Sequence, residues 1–299
     1  MKRKVVKHGI NTLTVSLPAK WVKNNNIRQG NELFLKEAGK EIIIRPLDFN
    51  ISEDDSPIIE INNKNEYIRR PIIANYVKGA NSIKIKSNDR SVLNLIQNDL
   101  FIYFLGFEII EQKEGSFTLK YISKGIEEEL DTMFRRLILI TQSMLKDIHM
   151  GLLNKDDNIL KEVIINENHA NRITLFCKRM LNVSGYKPNI FPMYSMCGLL
   201  EQITDESKYL SEYFIEKQIK IDNNFLDYLS KVIEQFELFY KMIRKYSSED
   251  LIKIKAIEKN LTNKKHDLIN KNDPILAHYL TAIQNKIHHI TEEALVYSI

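Results

Sequence analysis

The chain reads as three successive architectures: a short β unit of two hairpins around one helix, a small α/β domain, and an all-α bundle of two three-helix repeats. Three observations predict this. Residues 1–48 form a basic segment with strand-like alternation. Residues 56–122 mix strand and helix patterning behind a polar, proline-closed linker, Asp48 to Pro57. From residue 124 to 299 apolar residues recur every three or four positions, the period of packed helices. At 299 residues and 43% hydrophobic content, the chain has material for two or three modest cores.

In the first segment Leu13, Val15 and Leu17 alternate as in a half-buried strand, and Pro18 sits where a short helix can begin without losing a needed N–H. Leu33 to Leu35 and Glu41 to Arg45 then flank Glu37-Ala-Gly39-Lys40, whose glycine allows a tight hairpin turn. So short a segment buries too little apolar surface to stand alone, and it carries no cysteine to staple it. Two interleaved copies, closing one barrel across a two-fold axis, are therefore expected.

Charge points to the partner. Lys2, Arg3, Lys4, Lys7, Lys20, Lys23 and Arg28 precede any acidic residue, the first being Glu32. Residues 1–46 hold ten Lys/Arg and three Asp/Glu, a net of +7, so the remainder of a chain of net +4 carries −3. The positive field is local, as on a phosphate-facing surface.

The run Gly9, Thr12-Leu13, Val15, Leu17-Pro18, Trp21-Val22, Ile27, Gly30, Glu32-Leu33 resembles the SpoVT/AbrB/MazE family of DNA-binding swapped-hairpin domains. The variant it is most similar to heads archaeal proteins that end in a PhoU-like helical domain. The resemblance implies a swapped-hairpin AbrB-type β-barrel half, an obligate homodimer and double-stranded DNA as partner. Gly30-Asn31 stands where the family commonly has Gly-Asp. On this footing Arg3, Lys4, Lys7, Lys20 and Lys23 are expected on phosphates, and His8, Asn11 and Thr12 of the first turn at base edges.

The middle segment predicts strands at Ile58 to Ile61 and Ser82 to Lys86. It predicts a helix from Glu66 to Lys78 closed by Gly79, a second helix capped by Ser91 and running through Asp99, and a hairpin across Lys113-Glu114-Gly115. Arg69 and Arg70 read as solvated surface.

Beyond Gly125, the stripe Ile126, Leu130, Met133, Leu137, Ile140, Met144, Ile148 opens a series of six helices. Further stripes fall near 156–182, 192–219, 224–246, 249–271 and 274–298, with a break expected at Gly151 to Lys155. This region resembles the PhoU family in two places. Glu167-Asn-His-Ala-Asn171-Arg172 stands where the family has an acidic residue followed by Asp-Arg, and Glu201-Gln-Ile-Thr-Asp205 where it has Glu-x-x-x-Asp. The resemblance implies a PhoU-like bundle in which Glu167, Asn171, Glu201 and Asp205 hold a divalent or ferric ion. Asn171 replaces a carboxylate, and Glu258 with Thr262 and Asn285 with His289 take the corresponding places of the second repeat. His288 and His289, being adjacent, are expected to diverge by about 100° and not to share a metal.

Several classes are excluded by pattern. No GxGxxG, GxxxxGK[ST], HExxH or GxSxG occurs, and enzymatic activity is not expected. Cys177 and Cys197 are too distant in sequence for a CxxC site and suit a reducing cytoplasm. The longest apolar run, Leu100 to Phe107, is too short to span a membrane, so no membrane insertion is expected. The expected function is a cytoplasmic homodimeric transcription regulator linked by resemblance to phosphate uptake, its bundle contacting a phosphate transporter component or that transporter's regulator. A PhoU-type adaptor acting by protein contact alone, and an antitoxin, are the alternatives.

Overall fold

The computed structural model describes residues 2–10, 12–38, 41–46, 56–61, 68–123, 129–183 and 189–298. Contacts divide the chain into two compact units, residues 1–55 and 56–299.

In the first unit β1 (Val6–Lys7) pairs antiparallel with β2 (Leu13–Thr14), α1 spans Ala19–Asn24, and β3 (Leu33–Ala38) pairs antiparallel with β4 (Glu41–Pro46). The expected two hairpins around a helix are present. Pro18 is the residue preceding α1 rather than its first helical position; its carbonyl accepts from Val22 N at 2.9 Å. The β3–β4 register runs unbroken from Leu33 opposite Pro46 to Ala38 opposite Glu41, while the turn residues Gly39 and Lys40 and the linker at 47–55 lie outside the described residues.

The second unit begins with a four-stranded sheet of order β5-β6-β8-β7, built from β5 (Ile58–Glu60), β6 (Ser82–Lys86), β7 (Phe107–Lys113) and β8 (Ser116–Tyr121). β5 and β6 are parallel and joined through α2 (Arg70–Lys78), whereas β8 runs antiparallel to β6 and β7. The alternation in Ser-Ile-Lys-Ile-Lys turns Ile83 and Ile85 into a core shared with Ile72, Tyr76, Val92, Ile96, Phe117 and Leu119. Two expectations shift here. α2 begins at Arg70, with Glu66 outside the described residues, and Pro71 occupies its first turn. α3 runs Arg90–Tyr103, past Asp99, because the apolar residues that follow continue the helix; its N-terminal N–H of Ser91 is bound by Asp89 Oδ1 at 2.8 Å, so Asp89 is the cap and Ser91 lies within the first turn. Gly79 does close α2, at φ 100°, where an added Cβ would collide with Val183.

Six long helices follow: α4 (Leu130–Asn154), α5 (Asp157–Val183), α6 (Ile190–Lys217), α7 (Asn223–Arg244), α8 (Ser248–Lys271) and α9 (Pro274–Ser298). The stripe forecasts them closely, although Ile126 lies outside the described residues. Gly151 does not break α4 as expected. It is helical, and its missing side chain admits Leu160 of α5, whose Cδ2 would sit 2.7 Å from an added Cβ. The helix ends at the far edge of the expected break, where Lys155 takes a left-handed conformation at φ 55°. Asp222 caps α7 by accepting from Phe225 N at 2.9 Å, and Ser247 caps α8 by accepting from Asp250 N at 3.4 Å.

α4, α5 and α6 pack on one another, as do α7, α8 and α9, and the two triplets join through α6 against α9 and α4 against α7. This is an all-α bundle of two three-helix repeats. One continuous apolar core fills it, with Leu137, Phe176, Leu200, Phe236, Leu261 and Leu280 fully buried. Among the described residues no helix is long and apolar enough to cross a membrane.

α2 and α3 rest against α5, and one side chain ties them. Arg179 of α5 is buried, and its Nη1 donates to the carbonyls of Tyr76 at 2.7 Å and Ala80 at 2.9 Å. Tyr76 lies in the last turn of α2 and Ala80 just beyond its closing glycine, so the guanidinium sits at the negative pole of that helix. It also lies over the rings of Tyr121 at 4.4 Å, Tyr76 at 5.1 Å and Phe107 at 5.3 Å.

Candidate functional site

In the N-terminal unit, His8 N donates to Thr12 O at 2.8 Å and Gly9 takes φ 79°, closing the β1–β2 turn. That places Lys7, His8 and Thr12 on one exposed hairpin, with Arg3 and Lys4 exposed just before it. Asn11 lies outside the described residues. Lys20 and Lys23 are exposed and one turn apart on α1, while Trp21 and Val22 between them are half-buried. None of Arg3, Lys4, Lys7, Lys20 and Lys23 forms an ion pair with a described residue, so their charges face solvent uncompensated. Asn31 fits the place the resemblance gives to Asp: its Oδ1 accepts from Arg28 N at 2.6 Å, a role either side chain performs.

Among its described residues the same unit has no apolar interior. Val5, Val6, Ile10, Leu13, Val15, Leu35 and Ile42 are all at least half exposed, and no described residue of 1–55 joins a buried apolar cluster. Covering one such side chain stabilises by about 1.5–3 kcal/mol, so the exposed row is a large unrealised driving force.

In the first helical repeat, α5 and α6 bring Glu167, Asn171, Glu201 and Asp205 to one neighbourhood. Glu167 is buried; its Oε1 accepts from Asn171 Nδ2 at 2.8 Å and from Lys208 Nζ at 3.3 Å. Asn171 Oδ1 is left buried without a hydrogen-bond partner among the described residues. Burial, and then the negative charges of Glu201 and Glu167, push the Asp205 carboxyl up to about 7, well above its ordinary value. Glu201 is raised as well, by burial and by Glu167, against the pull of Lys178. The cluster is thus short of positive charge, with Lys208 supplying part of it.

Two juxtapositions depart from what the sequence spacing predicts. Cys177 and Cys197 are free, buried thiols on α5 and α6, and the fold makes them neighbours in the core; the proximity of Cys197 and burial push the Cys177 thiol up. His288 and His289, contrary to expectation, do converge. Their rings are 5.3 Å apart, and both face Glu292, at 3.7 Å from each. The helix sends their Cβ atoms apart, but imidazoles reach far enough to return to a common carboxylate. The i, i+4 pair of His288 and Glu292 is the sequence signal for it.

A family model described as Antidote-toxin recognition MazE, bacterial antitoxin, matches residues 9–52. No curated protein matches the chain. Among solved structures, a PhoU-like protein from Shewanella oneidensis MR-1 is similar at 12% identity and a TM-score of 0.37, over 57% of this chain and 92% of that one. The N-terminal segment is of the MazE/AbrB type.

Proposed function

We propose that the protein is a homodimeric, DNA-binding transcription regulator, with the N-terminal unit on the duplex and the helical bundle receiving a signal linked to phosphate uptake. The observation that carries this reading is the coincidence, in one small unit, of uncompensated Arg3, Lys4, Lys7, Lys20 and Lys23 with a row of exposed valines, leucines and isoleucines. A second copy interleaved with the first covers the row and doubles the basic residues. Lysines and arginines on phosphates then set affinity, while His8, Asn11 and Thr12 read base edges. The link to phosphate uptake, through a phosphate transporter component or its regulator, rests on the PhoU resemblance of residues 167–172 and 201–205.

In this reading Glu167, Asn171, Glu201 and Asp205 hold a divalent or ferric ion as the input. The donors are all oxygen and Asn171 Oδ1 has no hydrogen-bond partner among the described residues, but Glu167, Glu201 and Asp205 do not bring one ligand atom each within 4.8 Å of the others, so the carboxylates would have to draw together around the ion. The ion would supply the positive charge that Lys208 and a proton otherwise provide.

The test is a titration of full-length protein against a selected duplex and a scrambled one at two salt concentrations. Binding should weaken with salt by about 0.9 in log K per log salt for each phosphate neutralised. Lys20→Ala with Lys23→Ala should weaken both duplexes and flatten that slope, whereas Thr12→Ala should reduce discrimination between them. Absent binding at low salt would move the function to the adaptor reading, in which the barrel only dimerises. The antitoxin reading is favoured by the description of the family matching residues 9–52; against it, residues 56–299 form a compact unit rather than a short flexible toxin-binding tail.

A further inference from the structure

We propose that His288, His289 and Glu292 of α9 bind a borderline transition-metal ion, of which zinc is the type, with Glu258 of α8 as the carboxylate behind the first histidine. One ligand atom from each of the three residues lies within 4.8 Å of the others. Bonds of about 2.0–2.2 Å in a tetrahedral shell place donors about 3.3–3.6 Å apart, so a closure of up to about 1.5 Å completes the set. His289 and Glu292 are exposed side chains and supply it by small rotations.

The second observation is the support behind His288. Its Nδ1 lies 2.9 Å from Glu258 Oε1. That carboxylate is itself fixed, accepting from Gln235 Nε2 at 3.1 Å and from Lys255 Nζ at 2.9 Å. With Nδ1–H donated to Glu258, the neutral ring turns the lone pair of Nε2 toward Glu292 Oε1, 3.7 Å away. A carboxylate on the far nitrogen of a ligating imidazole fixes the tautomer and raises the ligand's basicity. His289 Nδ1 reaches the other oxygen of Glu292 at 3.7 Å, so the carboxylate stands between two imidazoles.

Two nitrogens and one carboxylate, with water completing the shell, select zinc, nickel or cobalt over magnesium. The ligand set also differs from the positions marked by the PhoU resemblance, of which only His289 takes part as a ligand. Thr262 instead donates to the Glu258 backbone carbonyl at 2.8 Å.

The experiment uses tag-free full-length protein stripped with chelator and titrated calorimetrically with zinc chloride, then with magnesium chloride. Wild type should take up zinc and give no comparable response to magnesium. His289→Ala and Glu292→Gln, both at exposed positions, should each lose this uptake while far-UV circular dichroism stays unchanged. Glu258→Gln should retain it with an affinity lower by about 10- to 100-fold, the usual cost of an outer carboxylate. Asp205→Asn separates this site from the α5–α6 cluster and should leave zinc uptake intact. No zinc uptake by wild type, uptake indifferent to both His289→Ala and Glu292→Gln, or uptake abolished by Asp205→Asn would overturn the assignment.

Discussion

Residues 1–55 and the helical bundle solve the same problem in opposite ways. The bundle buries its stripe inside one chain, with Phe176, Phe236, Leu200 and Leu280 wholly covered. The N-terminal unit leaves Ile10 88% and Leu13 71% exposed, and among the described residues its hydrogen-bonded hairpins enclose no apolar interior of their own. The difference teaches that local pairing and stability are separable. Strand register in a small β unit is set by its turns and alternation, but the free energy that holds it must come from burial, and the described residues of 1–55 supply little of that within one chain.

The largest effect expected is in the bundle. Phe176→Ala removes a fully buried ring and should cost about 3–5 kcal/mol, at a midpoint independent of protein concentration. Thermal melts at two concentrations check both statements, and a concentration-dependent bundle transition would erase the contrast.

Of comparable size is Arg179→Ala. It deprives the carbonyls of Tyr76 and Ala80 of a charged donor, and hydrogen bonds to charged groups are each worth about 1.5–3 kcal/mol. Denaturant unfolding should show the loss, and hydrogen exchange should place it at the C-terminal end of α2.

A segment comprising residues 1–55 should sediment as a dimer, and tenfold dilution should lower its melting midpoint, because association is part of its stability. A folded monomer at micromolar concentration would break the comparison from the other side.

The smallest effect concerns Asp205. Its folded carboxyl is raised to about 7 from an ordinary 3.8. The protonated form therefore contributes stability that is complete below about pH 4 and is lost as pH rises through 7. Asp205→Asn should stabilise the chain at pH 8, with little gain at pH 4, as melting temperatures at the two values would show. Equal effects at both would mean that folding leaves the carboxyl's hold on its proton unchanged.

Helices α4 to α9 are legible in the sequence because a period of 3.6 is written directly in residues such as Leu137, Met144 and Ile148, and caps such as Asp222 stand beside their starts. α3 is less so. Asp89 and Ser91 are both good caps, and only the backbone geometry chooses between them. The carboxylate cluster can be anticipated from i, i+4 spacing on two helices, whereas Lys208 cannot: its approach to Glu167 depends on how α5 and α6 are rotated about their axes. The same holds for Cys177 and Cys197, twenty positions apart in sequence yet in contact in the core. Arg179 leaves no trace in periodicity, because a charged residue on a buried face reads as a fault in the stripe until its partner helix is known.

That arginine has a mechanical consequence. Glu167 and Arg179 stand on the same helix twelve positions apart, about 18 Å along its axis at 1.5 Å per residue. A guanidinium held by two carbonyls and three rings cannot slide part-way out without leaving a buried charge unmatched. α5 is therefore anchored at both places: the helix that carries the buried Glu167 is held, about 18 Å further along, to the carbonyls and rings beneath the sheet.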